Sequence, residues 1–249
     1  MKEQPTLSLR AVAREVLAVY RRHWIWLIPA AMVILLPQAI VDGFLDGLTV
    51  EGVNTVGDAV TLGLIPLTVA VGLGGEALYA GLAAAAVVEW RAGHAVPRVP
   101  QLVRSLPLGT LIAVDLILSF GAALGLLLLV APAFVFLAYY GIAPALVKLE
   151  RRGTWESLRR SAELVRGNFW RVVAVIVGLM LFTEVVMQAV TFPFNDQGHG
   201  LITAIDLAVE GLLEPFQALA TVIVAVQLLE LRGELPPSER LALAHAEGR

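Results

Sequence analysis

Apolar and polar positions alternate along this chain in long blocks, and each block boundary carries a signal that predicts an element. Leu9, Val12, Val16 and Tyr20 fall on one helical stripe while Arg10, Arg14 and Arg21 fall on another, so residues from about Ser8 to Arg22 predict an amphipathic helix. The block from Trp24 to Phe44 then supplies about 20 apolar residues, enough to cross a hydrocarbon core of ~30 Å. Val41 to Asp58 carries Asp42, Asp46, Glu51 and Asp58 with no Lys or Arg and reads as an external loop. From Ala59 to Trp90 the chain is again apolar, and Pro66 with Gly72, Gly74 and Gly75 predicts a tilted or kinked helix. Small residues such as Ala83 to Ala86 would let it approach its neighbours closely.

Leu108 to Glu150 carries one charge, Asp115, before Lys148 and is flanked by basic residues on both sides. That predicts an even number of crossings, a hairpin turning near Val130 to Pro132, with a re-entrant pair as the alternative. Phe169 to Val190 predicts a further span and Thr191 to Gly200 an external turn. In the block from Leu201 to Arg232, Glu214-Pro215 is expected to separate an outer helical turn or two from the last membrane segment. The expected architecture is an all-α polytopic membrane helix bundle of about six transmembrane helices with two interfacial amphipathic helices. Its spans are about 24–44, 62–90, 108–129, 132–149, 169–190 and 212–232 within a single domain 1–232, followed by a mobile cytoplasmic tail 233–249.

The second amphipathic helix lies in the polar run from Glu150 to Arg171, which holds six of the eighteen Lys and Arg residues. Thr154 is the expected N-cap, Glu156 and Arg160 an expected i, i+4 pair, and Gly167-Asn168 a stop followed by a fresh cap. Trp155, Leu158, Ala162 and Val165 share the expected apolar stripe. The run reads either as a helix in the membrane interface or as a connector packed on the underside of the bundle. Loop Lys and Arg resist translocation, so this run is expected in the cytoplasm. The six-span threading then places all eighteen basic residues at the cytoplasmic side or boundary, with both termini there. Superposing Trp24 on Trp170 also aligns Arg14 with Arg160 and Val19 with Val165, a weak internal echo.

Composition narrows the class further. Of 249 residues 58% are hydrophobic and 16% charged, with mean hydropathy +0.78, above the range of a soluble domain. A net charge of -3 gives no basic balance for nucleic acid, and the absence of cysteine removes disulfides, thiolate metal sites and thiol nucleophiles. His23, His94, His199 and His245 form no metal-ligand spacing, no cofactor is expected, and Ser105, Ser157 and Ser161 lack a placed histidine. An enzyme is therefore not expected. Arg10 and Arg14 interrupt the first twenty residues, which are not expected to be a cleavable signal peptide.

Several motifs carry a family resemblance. R-x-G-x-x-V-P from Arg91, L-L-L-L-V-A-P before the fourth span, A-P-A-L-V-K-L-E-R-R-G after it and W-E-S-L-R-R-S-A-E-L-V-R-G-N-F-W-R-V resemble the membrane domain of membrane-anchored glycerophosphoryl diester phosphodiesterases and related stand-alone bacterial integral membrane proteins. The start ending Y-R-R-H-W is similar too. The resemblance implies an anchor of undefined activity in a bacterial cytoplasmic membrane. It does not imply the phosphodiesterase activity, which resides in a separate barrel for which this length leaves no room.

Two functions follow as expectations. One is a lipid-interacting scaffold, with membrane lipids as partners, in which Arg10, Arg14, Arg21, Arg22, Arg159, Arg160 and Arg166 hold anionic head groups at roughly 1 kcal/mol per basic residue. The alternative is a transporter of a small solute, proton or cation that uses the intramembrane carboxylates Glu76, Asp115, Glu184 and Glu210. A carboxylate at a helix centre costs about 2.5 to 3.5 kcal/mol on insertion scales. The bland reading is that these groups face water or hydrogen-bond locally.

Overall fold

A computed structural model of the chain describes residues 6–46, 75, 78–91, 104, 106–128, 130–194 and 199–234. Among the described residues the chain is helical throughout, without a strand. The elements are α1 (Leu9–Asp46), α2 (78–91), α3 (Leu108–Leu128), α4 (Val130–Tyr140), α5 (Ala143–Glu150), α6 (Thr154–Val165), α7 (Phe169–Thr191), a short 3₁₀ turn (Phe192–Phe194) and α8 (His199–Leu231). Among the described residues, four segments are long and apolar enough to cross a membrane: Leu9–Ile40, Pro132–Glu150, Phe169–Phe194 and Gly200–Leu231. Leu108–Ala122 is a shorter apolar stretch. The expected external loop beyond residue 46, the first part of the expected 62–90 span and the tail from residue 235 lie outside the described residues.

The amphipathic start and the first expected span are one helix, where the sequence predicts two elements. Ser8 opens α1 as its N-cap, the Ala11 N–H donating to Ser8 Oγ at 3.3 Å. Nothing between Arg22 and Trp24 breaks a helix, and the buried stripe of Val12, Val16 and Val19 continues through Leu27, Ala31 and Leu35. The resulting 38 residues reach about 57 Å at 1.5 Å each, well beyond a ~30 Å core.

α8 also corrects an expectation, since it passes through Pro215 without a break. Proline leaves a gap in the backbone ladder. Here α1 packs antiparallel alongside, with Tyr20 stacked on Phe216 at 4.0 Å and its hydroxyl donating to the Leu212 carbonyl at 3.3 Å. The carbonyl that Pro215 leaves without a donor is that of Gly211, and α8 continues past it packed against α1. Further along, a Cβ on Gly211 would meet Met32, so the small residue sets the spacing of the two helices.

α2 runs antiparallel to α1, its Tyr79 hydroxyl donating to the Leu27 carbonyl at 3.1 Å and its Arg91 reaching Glu15. Its residues Leu82 to Val87 are all buried, and the four alanines among them keep the backbones close. These three helices, with residues from α5, α6 and α7, form the main core around Val19, Leu27, Leu219 and Ile223. A second core joins Leu82 and Ala85 of α2 to Leu111, Val114 and Leu118 of α3, Ala143 and Val147 of α5 and Leu158 of α6.

α3 and α4 pack as a hairpin, Gly121 facing Phe136 and Gly125 facing Ala133. The segment expected to span 132–149 is present as the apolar stretch Pro132–Glu150, with a turn at Gly141 and Ile142. Pro144 has no N–H to offer the Tyr140 carbonyl, which stops α4 and restarts the chain as α5.

Candidate functional site

α6 organises one end of the bundle. Its N-cap position is Gly153, one residue before the expected Thr154, and its buried face is Ser157, Leu158, Ser161, Leu164 and Val165. Trp155, expected on the apolar stripe, is instead 75% exposed. Ser161 donates its hydroxyl to the Tyr139 carbonyl at 2.6 Å, where α4 runs out of helical partners, so the serines join Leu158, Leu164 and Val165 on the face turned to the bundle. Ser161→Ala would strand that carbonyl and is expected to cost about 1 to 3 kcal/mol, read as a lowered unfolding midpoint in detergent. An unchanged midpoint would mean that water replaces the hydroxyl.

Gly167 adopts φ 94°, a left-handed turn that glycine takes without strain, and sends the chain into α7. The side chain of Asn168, expected to cap that helix, makes no capping bond there. Its Oδ1 accepts from the Leu7 N–H at 2.9 Å. This contact brings the start of α1 to the junction of α6 and α7. The end of α8 arrives at the same helix, with Arg232 donating to the Glu163 carbonyl and Arg160 pairing with Glu234.

The seven arginines of the head-group expectation therefore separate into groups. Arg10, Arg14, Arg21 and Arg22 are exposed on α1, but Arg21 lies about 16 Å beyond Arg10 along the helix axis, so these two cannot share one phosphate. Arg159 and Arg166 are exposed on and just after α6. Arg160 is the exception at 12% side-chain exposure, bridging Glu150 at 3.4 Å and Glu234 in place of the expected Glu156. Burial works against its charge, but its hydrogen bond to Glu234 and the negative charges of Glu150 and Glu234 outweigh that and raise its pKa above the ordinary value.

The expected intramembrane carboxylates do not converge among the described residues. Glu76 lies outside them. Asp115 is buried at 8% exposure on α3, Glu184 is exposed on α7 and accepts from Gln188 Nε2 at 3.0 Å, and Glu210 is exposed on α8. No group of three potential metal ligands occurs among the described residues.

Two features escaped the sequence reading. The first is a clamp joining three helices: Arg91 of α2 donates through Nε and Nη2 to both oxygens of Glu15 on α1, at 2.6 and 2.8 Å, and through Nη1 to Glu230 of α8. Gln227 of α8 adds a bond to Glu15 at 3.1 Å. The signal was present in the sequence, because Glu15 falls three residues after Val12 and four before Val19, at the edge of the stripe that α1 buries. A carboxylate there needs a partner. The second is a cavity of about 530 Å³ between α6 and the α3–α4 hairpin, with Ile117, Phe136, Tyr140, Trp155 and Leu158 as its apolar wall and Arg159, Glu163 and Arg166 at its polar side.

Comparisons with protein-family models, curated proteins and solved structures found no match to this chain.

Proposed function

We propose that this chain is a multi-pass integral membrane protein that acts without catalysis, as a lipid-interacting scaffold or anchor-like domain. In this reading it crosses a bacterial cytoplasmic membrane about six times with both termini in the cytoplasm, and the resemblance to anchoring membrane domains points the same way. The observation that carries it is the Leu7–Asn168 contact, which holds the start of α1, where Arg10 and Arg14 are exposed, at the junction that follows α6, where Arg166 is exposed and Arg159 lies about two turns earlier. Positive charge at the end of lipid-facing helices attracts anionic head groups, at roughly 1 kcal/mol per basic residue near the surface. The exposed Ile25, Val33 and Ile40 of α1, with Phe182 and Val185 of α7, give the apolar flanks that lipid would cover.

The test is a comparison of the wild type with Arg10→Gln/Arg14→Gln/Arg159→Gln/Arg166→Gln in nanodiscs of mixed anionic and zwitterionic phospholipid. The wild type is expected to enrich anionic lipid around itself in a salt-sensitive manner, and the quadruple variant to lose most of that enrichment. Equal lipid composition around both would overturn the reading. Proteoliposomes test the transport alternative: background leak of protons and monovalent cations is expected to be the same for wild type and Glu184→Gln. A wild-type flux that Glu184→Gln abolishes would replace the scaffold reading.

A further inference from the structure

The cavity beside α6 is more than a basic surface. One side is formed by Ile117 of α3 with Phe136 and Tyr140 of α4, whose rings sit 4.8 Å apart, and Trp155 and Leu158 complete the apolar wall from α6. At about 530 Å³ it falls within the size range of small-molecule sites. Ile112, Leu116, Phe120 and Leu124, spaced four apart on the helix that carries Ile117, are all exposed.

The polar side has donors to offer. Arg159 uses Nε for Glu163 at 3.0 Å, and its side chain is 84% exposed, so its remaining guanidinium N–H groups are available to an anion. Arg166, one turn from Ala162 on the same rim, makes no ion pair among the described residues. Arginine is suited to phosphate because its planar fork can bond two oxygens at once. An apolar wall beside two arginines matches a molecule with a hydrocarbon tail and a phosphate.

We propose that this cavity binds one anionic glycerophospholipid, with an acyl chain against Ile117, Phe136 and Tyr140 and the phosphate between Arg159 and Arg166. The inference rests on the lipid-interacting reading and adds to it a single defined site. A lipid seated there joins α6 to the α3–α4 hairpin and is held by burial as well as charge, so high salt does not strip it.

Native mass spectrometry of the full chain, purified in mild detergent and titrated with phosphatidylglycerol or phosphatidylcholine, tests this. The wild type is expected to keep one phosphatidylglycerol through a high-salt wash. Arg166→Glu, an exposed change that leaves the bundle intact, is expected to weaken that binding by about fivefold or more. Ala162→Phe, which fills the cavity without altering charge, is expected to abolish it, and retained helicity by circular dichroism confirms that this variant folds. Arg10→Gln/Arg14→Gln is expected to leave the salt-resistant lipid in place while reducing the looser enrichment. Salt-resistant lipid retained by both Arg166→Glu and a folded Ala162→Phe overturns the site while leaving the broader lipid reading intact. Equal retention of phosphatidylcholine assigns the cavity to any acyl chain and overturns the role of the arginines. Inorganic phosphate that displaces the bound lipid at millimolar concentration would show an anion site alone and overturn the acyl-chain part.

Discussion

Replacing Arg91 by methionine is expected to destabilise the bundle by about 3 to 5 kcal/mol, among the largest effects of any single polar substitution here. The arginine and Glu15 retain only 16% and 14% side-chain exposure, so removing the cation leaves a carboxylate with little water and Glu230 with no counter-charge from α2. Glu15 still holds its bond from Gln227, which offsets only part of the loss. The effect should appear as an earlier loss of helicity on heating in detergent and as a smaller monodisperse fraction after extraction. The double change Arg91→Met/Glu15→Gln removes both charges and is expected to recover much of the stability, because a neutral amide can bond Gln227 without needing a cation. If Arg91→Met alone unfolds at the wild-type midpoint, the clamp contributes nothing and the packing of α1, α2 and α8 suffices.

Gly125→Val is expected to have a comparable effect for a steric reason. A Cβ at position 125 would stand 2.7 Å from the Ala133 Cα and 2.8 Å from its nitrogen, and backbone cannot move aside without parting α3 from α4. Overpacking of this kind costs about 1 to 3 kcal/mol, and more where the backbone must shift. Gly121 provides the contrast, because there the added atom would meet the Phe136 ring, a side chain that a second substitution can shorten. Gly121→Ala is thus expected to be rescued by Phe136→Leu, and Gly125→Val to resist rescue by any change at residue 136. Thermal unfolding of these single and double variants measures both, and a Gly125→Val midpoint equal to wild type would show that the hairpin is not closed at that point.

Helicity was legible wherever apolar residues ran long, because an apolar block of that length must satisfy its own backbone and a helix does so within one segment. The break before α6, the turn at Gly167 and the short amphipathic helix between them were also readable, since glycine and the change to charged residues mark them directly. Element boundaries inside apolar blocks were less so. Pro215 looks like a stop in the sequence, yet α8 runs through it alongside α1, whose Tyr20, almost two hundred residues away, stacks on Phe216, a neighbour no local pattern reveals. Pro144 does interrupt its segment, and the two prolines differ in their neighbours rather than in their chemistry.

The arginines show the same limit. Charge counting treats Arg159 and Arg160 alike, and only the arrival of Glu150 and Glu234 makes one of them internal and leaves the other at the surface. Periodicity places Trp155 on the inward stripe because it is large and apolar, whereas the face that Ser161 bonds to the bundle carries Ser157, Leu158, Leu164 and Val165 and leaves Trp155 outside. That bond goes to a carbonyl at the end of another helix.

The extremities of the described chain meet α6 and the turn that follows it: the Leu7 amide is held by Asn168 at the start of α7, and Glu234 and Arg232 fasten to the middle of α6. The run from Thr154 to Asn168 thus works as a clasp over two ends that are more than two hundred positions apart in sequence. Loosening it would free the opening turn of α1 and the closing turn of α8 together, so amide protons at these two places should exchange with solvent at a common rate.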